Sequence, residues 1–533
     1  MPQVADREQT RSEELREFPI TGPFGGIQSE LPLDQIENYG FFDTTNFLFR
    51  KGVAYIRPSF DILPTFPNPF QSDPILGVAD FFNVNGVRIQ AVLTNRTLFQ
   101  WVNNNWTVIT GPPFTGSTTQ TWDWDVNGGV LCFSQGQDQL FIWDGINPFY
   151  TQVATAPAAQ YMCEIAQQLF MANTLESGVA HVQRYKWGGV NNPQDWTSFQ
   201  SGTNDIQNNL GPIRGLKKLG QYGYGWHQWG IMQIQPTGYG PLPFVFSTIA
   251  NANVGNIAGR SLASFNQNGV EQAAYLAKDN VYVFNQSSVV PIGDSPIEGR
   301  RRLGARSRIF GDLSNIDPTT AYGFVTQSIA GQIFNAYWLI LPNVSTWVYN
   351  FDEGNWTRFS YNGTQTIAGL FNRVATIQIR QLIGTIAGQN WTINSASPTN
   401  PLDGFVLGWN NGQLGYVDFG TYSEQSAQVV SGKHIFNDRR HKHCVKKFRL
   451  VVLDQGPTTY TITISSSSGN SISRTVTLGT GSGDSLSYVS SFSISGLRIQ
   501  WTVSVPAGQP AAIIEFCPIF DIDGEQRGGT QDV

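Results

Sequence analysis

A single grammar recurs along this chain: an apolar strand, a polar turn, and a second strand that ends on an aromatic residue. Residues 320–360 carry it most completely. Their run AYWLIL at 336–341 is apolar, the stretch 347–351 alternates aromatic with small or polar residues, and Asp352-Glu353-Gly354-Asn355 supplies residues that tolerate the positive φ of a tight turn before the chain resumes at Trp356. Residues 87–110, 129–153, 273–293 and 404–420 repeat the pattern. The closing aromatic falls at Trp106, Phe149 and Trp196, steps of 43 and 47, and again at Trp356 and Phe419 after longer gaps. A period of roughly 40–50 residues with several short strands per repeat is the signature of a β-propeller. One blade cannot bury both faces of its own sheet, so a ring of them is required. The spacing predicts an all-β chain with a propeller of six or seven blades over residues 75–420. A pair of β-sandwiches is the competing fold, but it gives no reason for the recurring aromatic.

Composition limits the function. Of 533 residues only 14% are charged and 13% are aromatic, with 55 glycines and 28 prolines, as suits a turn-rich β protein with a polar but weakly charged surface. A net charge of −6 argues against general affinity for nucleic acid. No apolar stretch is long enough for a membrane span and the first ten residues lack the apolar core of a signal peptide, so synthesis in the cytosol with no membrane partner is expected. Cys132, Cys163, Cys444 and Cys517 are far apart and read as reduced, buried thiols, with no metal site and no cofactor expected.

Four regions follow in order. Residues 1–17 are a charged arm, suited to a short helix with i,i+4 pairs or to docking on a neighbouring subunit. Residues 18–74 are extended and rich in proline, with a hairpin tip at Lys51-Gly52. The propeller fills 75–420. Residues 421–533 alternate Ser and Thr with Ile and Val and predict a C-terminal β-sandwich and tail.

Three stretches together, GGIQSELPLDQIENYGFFDTTNFLFRKGVAYIRPSF at 25–60, RYKWGGVNNPQDWT at 184–197 and GRSLASFNQNGVEQAAYLAKDNVYVFNQSSVVPIG at 259–293, resemble the tail nozzle, or packaged-DNA stabilisation and head-closure, family of short-tailed bacteriophages. The resemblance covers residues 24–420 as a pattern of aromatics and turns. It implies a virion structural protein, assembled in the host cytoplasm as a homo-hexameric ring below the portal and adaptor, touching tail fibre or spike proteins, with double-stranded DNA passing transiently and without sequence preference. A polar, weakly acidic wall suits such a conduit, because like charge leaves the duplex free to slide.

Two basic clusters are candidate subunit or DNA contacts: Arg300, Arg301, Arg302, Arg306 and Arg308, and Lys433, Arg439, Arg440 and Lys442. A solvated or internally paired loop is the commoner fate of such runs. His441 and His443 would share one strand face, with His434 nearby, but the ligand set for a metal is incomplete. The Gly- and Pro-rich stretch 221–243 is a candidate channel gate through Tyr222, Tyr224, Trp226, Trp229 and Tyr239.

Propellers also host glycosidases, which act through paired acids. Asp123, Asp125, Asp144 and Asp352 are available, although acids in blade turns usually serve the turn. No GxSxG, HExxH, P-loop or dinucleotide fingerprint occurs. The chain is expected not to be an enzyme. A glycan-binding or depolymerising tail propeller is the alternative, with Trp122, Trp124, Trp226 and Trp229 as rings that stack on sugars and blade packing as the competing role of each.

Overall fold

Short alternating strands and positive-φ turns dominate the computed structural model, which describes residues 15–103, 105–240, 242–297, 301–326, 335–373, 402–434 and 443–522. Among the described residues only Arg306–Leu313 is α-helical. Six separate four-stranded sheets are present, and a seventh four-strand run continues into a nine-stranded sheet. The seven sets are successive blades. Their first strands are Ile75–Phe82, Asp123–Asn127, Ala158–Ile165, Ile213–Leu219, Ala263–Gln267, Tyr322–Thr326 and Gln365–Arg373. All seven line one central cavity, which is the geometry of a propeller axis.

The recurring aromatics bury an apolar ring and satisfy the indole N–H on a backbone carbonyl. Trp106 donates to the Pro64 carbonyl at 2.7 Å, Trp196 to Pro193 at 2.8 Å and Trp356 to Ile292 at 2.6 Å. Phe149 departs from this pattern: it is 51% exposed, and Trp143, donating to Asn147 at 2.7 Å, takes the buried place in that blade.

The ring closes with a strand from the other end of the chain. Blade 7 consists of Gln365–Arg373, Leu402–Trp409 and Leu414–Tyr422, and its outer strand is Pro58–Ile62, paired so that Phe60 faces Val417. The extended segment 18–74 is therefore part of the propeller and not only its approach. Its hairpin turns at Lys51-Gly52 as the sequence predicts, with Phe47–Arg50 against Val53–Ile56.

Beyond the propeller the strands form two sheets over one core. A seven-stranded sheet joins His443–Leu453, Ser485–Gly496 and Ala512–Ile522 to the 47–56 hairpin and to Arg16–Glu17 and Ile20–Thr21. The opposing sheet runs from blade 6 through Phe41–Thr45, Ala427–Ser431, Ile499–Val505 and Thr458–Ser466 to Ser471–Leu478. Alternation explains the packing: Tyr460, Ile462 and Ile464 are buried with Phe448, Trp501 and Phe516, while the threonines between them face outward. This layer draws strands from both chain ends, so it is wider than the predicted 421–533. Residues 16–17 are extended rather than helical, because they add to the edge of Ala512–Ile522; residues 1–14 lie outside the described ones.

Candidate functional site

Each blade contributes its innermost strand to the axis, and the free edges of those strands must be satisfied without a further strand. Blades 2 and 3 solve this with side chains. Asp123 and Asp125, two residues apart, share one side of their strand. Asp123 Oδ2 accepts the Met162 N–H at 2.9 Å and Asp125 Oδ2 the Glu164 N–H at 2.6 Å, so the two carboxylates cap alternate amides of the neighbouring blade. Asp123 also takes Arg260 at 3.1 Å and lies 3.9 Å from the Lys217 ammonium. Four blades thus meet on one carboxylate. Glu164 accepts from Lys218 at 2.8 Å and from the Gln167 amide.

Arg260 sits in the one-turn 3-10 segment Gly259–Ser261, donates to the carbonyls of Thr121 and Gln160 and lies 5.3 Å above the Tyr161 ring. Glycine is required beside it, since a Cβ at Gly259 would stand 2.0 Å from the Tyr161 hydroxyl oxygen. Across the axis Asp80 is held by Arg88, Nε to Oδ1 at 2.8 Å. The cavity between these groups measures about 530 Å³. Blades 2 to 5 give it a charged arc; Val78, Tyr322, Phe324, Ala368 and Leu370 from blades 1, 6 and 7 give it one that is apolar except for Asp80, with Trp124 and Tyr161 as further rings.

Electrostatics follow from burial. Loss of water raises the Asp125 carboxyl above its ordinary range, offset in part by the amides of Glu164 and Val126 and by Lys217. Burial lifts the Cys163 thiol well above its usual value, so it is inert as a nucleophile. Burial pulls the Lys218 ammonium down, but its hydrogen bond to Glu164 and the attraction of the nearby negative groups together outweigh this and the net shift is upward.

Of the acids named from sequence, Asp144 is a turn former, accepting from Ile146 and Asn147 amides at 2.9 and 2.8 Å. Asp123 and Asp125 are not: they stand in a strand, and a blade junction holds them. Trp122 is spent on packing, buried and donating to the Thr94 carbonyl. Asp80, Glu164, Lys217, Lys218 and Arg260 went unnoticed in the sequence. The available signal was a charge embedded in an otherwise apolar first strand, as in LGVADFF or YMCEI.

The candidate gate is corrected. Tyr222, Tyr224 and Trp226 belong to strand Tyr222–His227 in the body of blade 4, and Tyr224 and Trp226 are buried there. The glycines between them admit large neighbours, as at Gly225 under the Tyr185 ring, and do not make a loop. Only Trp229 and Tyr239, 45% and 63% exposed, stand in turns.

In the first basic cluster, Arg308 pairs with Asp43 at 3.0 Å and stacks on Phe42, and Arg306 donates to the Asp279 carbonyl. These two are engaged within the chain. Arg301 and Arg302 lie in strand Arg301–Gly304; Arg300, Arg439, Arg440 and Lys442 fall outside the described residues, as does His441. Lys433 is half-buried and its amide donates to the Leu33 carbonyl. His443 is buried in its strand and His434 bridges to Ile499. The four cysteines are buried.

No known family matches the chain and no curated protein matches it. Solved structures do. An exo-β-1,3-galactanase from Phanerochaete chrysosporium with galactose is 11% identical, covering 87% of this chain and 100% of its own, with a TM-score of 0.25. A glycoside hydrolase family 43 arabinoxylan arabinofuranohydrolase from Bacillus subtilis is 11% identical over 91% and 96%, TM-score 0.23. A family 6 carbohydrate-binding module is 17% identical over 23% and 79%, TM-score 0.15. The expectation that the chain is not an enzyme is corrected by these matches, since glycoside hydrolases stand among them, and it is not carried forward. At such identities and scores the likeness says nothing about the chemistry of the axial cavity.

Proposed function

We propose that this protein is a carbohydrate-binding propeller whose sugar site is the axial cavity. The observation that supports it is the convergence there of fixed carboxylates, ammonium and guanidinium groups and aromatic rings around a cavity of about 530 Å³. Hydroxyl groups need donors and acceptors held in place, and the apolar face of a pyranose needs an aromatic or aliphatic wall. The cavity supplies both. Saturation-transfer NMR with a panel of monosaccharides, on the native chain and on Trp124→Ala, tests the reading; binding that is lost in the variant supports it, and no binding by the native chain overturns it. Release of reducing ends from host polysaccharide, measured in the same samples, decides whether binding is accompanied by cleavage.

A second reading, a ring component of a phage tail that retains and conducts DNA, draws on the segment at residues 25–60. Its residues are those that carry the resemblance, and in the fold they lock the propeller to the second layer. Light scattering with negative-stain images tests it: a ring whose hole admits a DNA duplex favours it. Changing Arg300, Arg301 and Arg302 to Glu should then abolish incorporation into tails while circular dichroism stays unchanged.

A further inference from the structure

Donor and acceptor capacity around the axis is unevenly spent. Asp123 already takes the Met162 amide and Arg260. Asp125 takes the Glu164 amide at 2.6 Å and the Val126 amide at 2.7 Å. Glu164 takes Lys218 and the Gln167 amide. Each carboxylate is thus occupied by donors from the chain itself. Arg260 is likewise committed, to Asp123 and to two carbonyls.

Lys217 differs. Its ammonium carries three N–H donors, and among the described residues its one ion-pair contact is Asp123 at 3.9 Å, beyond hydrogen-bond length. The side chain is about a third exposed and lines the cavity. The unspent capacity on the charged arc is therefore a cationic donor, and a ligand that completes it must bring an acceptor, best an anionic one. The opposite wall, with Tyr322 and Phe324, presents aromatic rings that suit the apolar face of a sugar ring.

We propose that the axial cavity takes an acidic sugar, a uronate or sialate, with its carboxylate on the Lys217 ammonium and its ring against the Tyr322 and Phe324 wall. This rests on the carbohydrate reading above and adds the class of sugar. A neutral sugar offers the ammonium only hydroxyl acceptors, whereas a carboxylate makes a short charge-assisted pair.

The test is a comparison on the full chain. Sodium glucuronate, galacturonate and N-acetylneuraminate, their methyl esters, and neutral glucose, galactose and N-acetylglucosamine are titrated by saturation-transfer NMR. At least one acid should bind about tenfold tighter than its own methyl ester, the worth of one charge-assisted hydrogen bond. Lys217→Gln, which is one atom shorter, keeps a polar end and removes the charge, should erase that preference and leave ester binding unchanged. Circular dichroism confirms that the variant is folded. Neutral sugars or esters binding as well as the acids would overturn the acidic-sugar assignment and leave carbohydrate binding intact. An acid preference that survives in Lys217→Gln would overturn the role of Lys217. Silence across the whole panel would sink the carbohydrate reading itself.

Discussion

Arg57 is a fully buried guanidinium at the joint between propeller and second layer. Its Nε donates to Asn46 at 2.9 Å, Nη1 to the Pro58 carbonyl at 2.9 Å, and Nη2 to the Ser360 carbonyl at 2.6 Å and to Glu424 at 2.8 Å, while its plane lies 4.0 Å from the Tyr361 centroid. Removing it leaves buried acceptors without donors, so Arg57→Ala should cost about 3 kcal/mol in urea unfolding. Arg57→Lys should recover little, since one ammonium cannot reproduce the planar fork; full recovery would show that charge alone matters. His434 tests burial in the other sense. Its ring, beside Phe18 and Trp501, is held down to about 4 by loss of water. The unfolded chain then binds a proton near 6.5 that the folded chain refuses until about 4, so stability is present above 6.5 and is lost as pH falls through that window, by up to about 3 kcal/mol. His227, shifted downward by burial as well, adds to the same slope. Thermal unfolding at a series of pH values should show the melting temperature falling between pH 6.5 and 4, and His434→Phe should flatten the curve.

At the level of elements, the clasp of blade 7 is the weak point of the ring, because one outer strand comes from a distant part of the chain and its loop-closure entropy has to be met by local contacts. Phe60 is the main such contact, edge-on to Trp409 at 4.9 Å and tilted on Tyr361 at 5.1 Å. Phe60→Ala should cost about 2 kcal/mol, and hydrogen exchange should accelerate in Leu414–Tyr422 while His443–Leu453 keeps its protection. Equal acceleration in both would mean that the clasp does not open on its own. The aromatic closures were legible in the sequence, since Trp106, Trp196 and Trp356 fall at the repeat, although the carbonyls that Trp106 and Trp356 find, Pro64 and Ile292, lie outside their own blades. The clasp was not, since nothing in PSFDI names Leu414–Tyr422 as its partner.

For the whole molecule, propeller and second layer share one sheet: blade 6 passes through Asn355–Phe359 and Phe41–Thr45 into Ala427–Ser431 and the strands beyond. Cooperative unfolding follows, because separating the two exposes a strand edge and the large core around Phe41, Phe448 and Trp501. A chain ending at residue 425 should therefore be insoluble on expression or lack native circular dichroism. A soluble, propeller-like product would show instead that the ring stands alone.

Local chemistry alone determined the strands, the turns and the period: alternation sets which side of a strand is apolar, and Gly, Asn and Asp set where the chain turns. These are properties of neighbours in sequence, so all-β content, the propeller and the burial of the cysteines could be read directly. Tertiary structure decided what happens where distant neighbours meet. Asp123, Met162, Lys217 and Arg260 come from four blades and touch only once the ring has closed, and Tyr224 and Trp226 became blade core because Tyr275 and Phe284 pack against them. The axial site has no counterpart in any short stretch of sequence because the closed ring itself assembles it.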